Sequence, residues 1–153
     1  MTETLNFEKY LDENGILIYS NVGISMLPLM RQGKDLFILE KKKSERFKVG
    51  DVVLYRRNNK YVLHRIIDVR ENDYVILGDN CLEKEYGIKD NDILAIMTGF
   101  IRDGKKYSVN DFVYKAYSFI WLKTAPIRIL VKKALHCLKN YLKNYIKIRK
   151  NKN

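Results

Sequence analysis

Between residues 16 and 109 the chain falls into short β-rich stretches separated by turn signals, without the strand–helix alternation of a parallel sheet. Residues 16–22, 35–40, 52–56, 61–69, 74–77, 93–101 and 106–109 read as strands. Asn58-Asn59 and Asp103-Gly104 read as hairpin turns, Glu71-Asn72-Asp73 as a further turn, and residues 78–91 as a polar loop. The pattern predicts a mainly β protein built on a coiled antiparallel domain. A short helix over residues 4–11 precedes it, with apolar residues at 5, 7, 10 and 11, and stops near Asn14-Gly15.

The last part of the chain follows another rule. Its apolar positions run 127, 130, 131, 134, 135, 138, 141, 142, 145, a helical stripe with lysines on the opposite face. Residues 112–122 form a second amphipathic stretch rich in aromatics, so two helices with a break at Thr124–Pro126 are expected. Residues 112–153 hold eleven of the 29 Lys and Arg and none of the 18 acids, so they carry the whole net charge of +11 and leave residues 1–111 neutral. The chain therefore divides into a β domain, 1–111, and a basic amphipathic helical tail, 112–153. Such a tail either lies on an anionic membrane or packs its stripe on the domain. Nucleic acid is the weaker partner, because no aromatic-basic platform or DNA-reading motif accompanies the charge.

The N-terminus is acidic and polar, unlike a secretory signal, and no run of about 18 apolar residues suggests a spanning helix. Two cysteines, Cys81 and Cys137, make neither a disulfide framework nor a metal-ligand pattern. A reducing, cytoplasmic setting follows as the expectation, peripheral to the inner face of the cell membrane if the tail binds lipid. No cofactor and no metal are expected.

Three segments hold residues that could do chemistry. Gly23-Ile24-Ser25-Met26-Leu27-Pro28 places a serine in a glycine-containing turn after a strand, where a hydroxyl and backbone N–H groups can face one volume. His64 sits mid-strand in Val62-Leu63-His64-Arg65-Ile66, and it and His136 are the only side chains that titrate ordinarily near neutral pH. His136 lies in the basic tail and reads as a surface residue. Gly78-Asp79-Asn80 puts a carboxylate in a turn, and Glu85 follows in the same loop. Each segment alone has an ordinary structural reading: a turn serine, a strand histidine, an Asx turn.

Taken in order, Ser25-Met26-Leu27-Pro28, Gly50-Asp51-Val52-Val53, His64-Arg65-Ile66 and Gly78-Asp79-Asn80 resemble the ordered boxes of the signal peptidase I superfamily, over roughly residues 16–101. Histidine where the usual bacterial enzymes carry lysine is similar to the endoplasmic-reticulum-type branch. The resemblance implies a serine endopeptidase in which Ser25 is nucleophile and His64 general base. A carboxylate completes the triad: Glu85 is favoured, with Asp79 as structural support, and Asp79 remains the competing candidate. Two departures stand out. The family usually has a serine two residues before the nucleophile, where this chain has Gly23, and a leading membrane anchor is expected to be missing. The expected substrate is a leader or precursor peptide. The alternative is a catalytically weak or inactive peptide-binding module on the same scaffold. A regulator like the family's self-cleaving repressors ranks last, because 22 residues before the serine turn cannot hold a helix-turn-helix domain and the base is not lysine.

Overall fold

The computed structural model describes residues 7–20, 22–42, 46–58 and 60–150. Helix α1 (Phe7–Asn14) leads into strands β1 (Ile16–Ser20), β2 (Leu36–Lys41), β3 (Val52–Arg57), β4 (Lys60–Val69), β5 (Tyr74–Leu77) and β6 (Glu85–Ile88). A 3-10 turn (Asp90–Asp92), β7 (Ile93–Arg102), β8 (Lys105–Ser108) and helix α2 (Phe112–Lys150) follow. The strands form one antiparallel sheet in the order β1-β2-β7-β3-β4-β5-β6, with β8 also on β7. The expected mainly β architecture with helices at the two ends is what the chain adopts.

β3 explains why the sheet holds two cores. All four residues Val52–Tyr55 are buried, as expected of a strand covered on both faces. Val52 and Leu54 join a cluster with Phe7, Leu11, Met26, Met30 and Met97, whereas Val53 and Tyr55 join Phe47, Ile66, Tyr74 and Ile76. Register shifts at Ile38/Leu39, Leu54/Tyr55 and Ile66/Asp68 mark bulges, which bend strands and raise their twist. The sheet thus curls without an inserted helix.

Local signals set the ends of the elements. α1 stops where Gly15 takes φ 71° and donates its N–H to Leu11 O at 2.9 Å, a left-handed helix cap. It ends at Asn14, three residues beyond the expected 11, while residues 4–6 of the expected helix lie outside the described residues. Asp103 and Gly104 both have positive φ, 50° and 76°, the geometry of a tight hairpin turn between β7 and β8. Asn58 is likewise left-handed, while Asn59, the other half of the expected turn, lies outside the described residues.

Two expectations change. The polar loop 78–91 contains β6, which pairs Ile76 with Glu85 and Tyr74 with Ile88. Its sequence is only Glu-Tyr-Gly-Ile, with Tyr86 exposed and Ile88 packed against the core, so little burial marks it and pairing to β5 defines the strand. The break at Thr124–Pro126 is absent: α2 is one helix with Pro126 inside it. Pro126 cannot supply an N–H to the turn before it. The Arg128 guanidinium donates to Thr124 Oγ1 at 3.2 Å across this position and gives the turn a side-chain link.

By internal contacts the chain forms two compact units, Met1–Leu122 and Lys123–Asn153. The first includes the aromatic start of α2. There Tyr117 stacks on Trp121, with ring centroids 5.3 Å apart. Among the described residues no helix is long and apolar enough to cross a membrane.

Candidate active site

The serine is positioned by a turn with an apolar underside. Leu27 N–H donates to Ile24 O (3.2 Å) and Met30 N–H to Met26 O (2.9 Å), so the chain after β1 coils through one tight loop. Met26, Leu29 and Met30, spaced i, i+3, i+4, are buried. Ser25 is left half-buried at the rim of a cleft of about 660 Å³. Buried Asp35 secures the far end of the loop, accepting from the Arg31 N–H at 2.8 Å and from Arg102 Nη2 at 2.6 Å.

The histidine comes from the middle of β4, where it pairs with Val53 of β3 and is only 4% exposed. Its Nδ1 lies 3.1 Å from Glu85 Oε1 and 3.1 Å from the Tyr55 hydroxyl. A carboxylate can only accept, so this contact assigns the proton to Nδ1 and leaves Nε2 with a lone pair. Arg57 Nη1 donates to the same Glu85 oxygen at 2.7 Å. Burial pushes the Glu85 carboxyl up, but hydrogen bonds from Arg57 and Tyr55 outweigh it, and the group titrates below its ordinary range. Burial pushes the His64 imidazole down, against the pull of the Glu85 charge, so the ring is neutral at neutral pH. The Tyr55 phenol is raised by its burial and by Glu85, and it remains a donor.

His64 and Ser25 line the same cleft. The hydrogen-bonding neighbour of Nε2 is Cys81 Sγ at 3.9 Å, and among the described residues no hydrogen bond joins Nε2 to Ser25 Oγ. Catalytic hydrogen bonds in unliganded sites are commonly long or unformed. The ring can occupy this place only because residue 78 is glycine. A Cβ on Gly78 would sit 2.8 Å from His64 Nε2 and 2.6 Å from Cys81 Sγ.

The Gly78-Asp79-Asn80 segment does a different job from base or nucleophile. Asp79 is buried and receives both Nε and Nη2 of Arg65 at 2.8 Å. Tyr117 donates to Asp79 Oδ2 at 3.0 Å, and Arg65 Nη1 continues to Gly50 O and Ser118 Oγ. This buried clamp fixes the end of β5 against α2. Asn80 then ties the loop to the serine turn: its N–H donates to Ser25 O at 2.7 Å and its Nδ2 to Ile24 O at 3.0 Å. Of the four candidate residues, the cleft brings together Ser25, His64 and Glu85, while Asp79 lies in the Arg65 clamp.

Gly23 adopts φ +96°, with nothing within 4 Å of a built Cβ. A serine there would have room but a strained backbone, so the departure from the resembled pattern has a conformational counterpart. Three site residues were not singled out from sequence: Tyr55, Arg57 and Cys81. Tyr55 was within reach of pattern reasoning, because the β3–β4 register pairs it with Val62, two residues from His64 on the same face. Cys81 closes a turn by donating its N–H to Gly78 O at 2.9 Å, a placement that no periodicity signals. Among the described residues no group of three or more His, Cys, Asp or Glu side chains is arranged to hold a metal ion.

Comparison of the chain with protein-family models, with curated proteins and with solved structures finds no match.

Proposed function

We propose that the chain is a serine endopeptidase of the signal-peptidase kind, acting on a leader or precursor peptide laid in the cleft. The observation that carries this reading is the contact of His64 Nδ1 with Glu85, which leaves the Nε2 lone pair as the base on a residue that lines the same cleft as Ser25. In the proposed reaction Ser25 Oγ attacks the peptide carbonyl as Nε2 takes its proton. Glu85 holds the Nδ1 proton and stabilises the imidazolium that forms. Nε2 returns the proton to the departing amine, leaving an ester on Ser25. Water then attacks this ester with Nε2 again as base, releasing the acid and restoring the hydroxyl. The backbone N–H of Ser25 is a donor for the oxyanion, and Gly23 adds no hydroxyl. The apolar side chains of Tyr19, Phe37, Leu54 and Leu63 line the same cleft and suit an uncharged substrate side chain.

The second reading, a peptide-binding module with little or no turnover, is favoured by the missing Ser25–His64 hydrogen bond and by Gly23. One experiment separates them. Wild type, Ser25→Ala and His64→Ala are incubated with a diverse peptide mixture, and products are read by mass spectrometry across pH. Cleavage by wild type alone is the expected result. Equal product from all three folded proteins, or none from any, moves the assignment to the binding module.

A further inference from the structure

We propose that the helix from Lys123 onward is a docking surface for an anionic lipid bilayer, on which it lies parallel to the membrane plane. At about 100° per residue, Ile127, Leu130, Val131, Leu138, Tyr141 and Leu142 fall within an arc of about 120°. These six are between 49 and 69% exposed. Arg128, Lys132, Lys139 and Lys143 occupy the opposite side of the same cylinder, and no acid occurs anywhere in residues 112–153 to neutralise them.

The two features together select the occupant. A nucleic acid would match the charge but leave the apolar row in water. A second copy could cover the row, but it would bring an equally cationic helix alongside, and the arc is wider than the narrow seam of a paired coil. A bilayer with anionic headgroups takes both: the row enters the acyl boundary and the long lysine stems reach back to the phosphates. No described helix is apolar enough to cross, so the contact is with one leaflet.

The inference goes beyond the peptidase reading and does not require it. The full chain is sedimented with vesicles of equimolar phosphatidylglycerol and phosphatidylcholine, and with phosphatidylcholine alone. Binding to the anionic vesicles only, weakened about tenfold or more by high salt, is expected. Leu130→Glu with Leu138→Glu, and separately Lys132→Glu, Lys139→Glu and Lys143→Glu together, each weaken it by about tenfold or more. Ser25→Ala binds as wild type, which separates this result from any failure of cleavage. Absence of vesicle binding overturns the proposal. So does vesicle binding that survives the leucine substitutions while the chain retards duplex DNA equally well, since charge alone would then act. A dimer that those substitutions dissolve, with no vesicle binding, assigns the row to a second copy instead.

Discussion

Burial and the Glu85 carboxylate together decide how His64 responds to pH. The imidazole must be neutral to accept a proton, and burial holds its pKa below the ordinary 6.5 while Glu85 pulls it upward. The acid limb of kcat/KM is therefore expected below that value, with activity retained as pH rises above it. Glu85→Gln removes the opposing charge, so the limb moves further toward acid. It also removes the anion that stabilises the imidazolium, and kcat falls by about 10²–10⁴-fold. An unchanged profile in Glu85→Gln would mean that Glu85 does not serve the base. Gly78→Ala tests the ring's position. Its Cβ would meet Nε2 at 2.8 Å, so the imidazole or the loop must shift, and about a 10²-fold loss of cleavage is expected with the β spectrum preserved. Wild-type activity in this variant would show that the ring tolerates displacement.

Among elements, the joint between β4, β5 and α2 depends on one buried ion pair. Arg65 and Asp79 are 1% and 3% exposed, and each is further tied to α2 through Ser118 and Tyr117. Asp79→Asn leaves a guanidinium buried without its counter-charge, a change that costs about 3–5 kcal/mol. Urea unfolding followed by circular dichroism should register a matching fall. A loss within about 0.5 kcal/mol, as for an ordinary surface site, would mean that Asp79 does not hold this joint together. β6 belongs at this scale too. It is a four-residue edge strand with Gly87 at φ +74°, yet it delivers Glu85 to His64. The third residue of the site thus depends on backbone pairing to β5, a dependence invisible in the polar composition of residues 78–91.

For the whole molecule, legibility followed the length of the interaction. Strands with an apolar alternation or a fully buried run, such as β3 and β4, were readable because each residue's face is set by its neighbours two positions away. Ser25, His64 and Glu85 were readable as residues, and their order along the chain suggested one site. Their geometry was not readable: Arg57 and Cys81 reach the site through strand register and a loop closure that no local pattern records. Pro126 misled in the opposite direction, because its local preference for a break is overridden by helix on both sides of it.

The bonds from Asn80 to Ser25 O and Ile24 O link segments more than fifty residues apart in sequence. The loop leading to Glu85 and the loop holding Ser25 are thereby tied directly to each other. On the proposed reading, a peptide entering the cleft would meet these two loops already joined, with the Ser25–His64 contact left to form. The conformational entropy of joining the two loops would then be met when the chain folds rather than at each proposed turnover. Such a link suits a fold in which a mobile lid would have to be carved from a sheet already committed to its two cores.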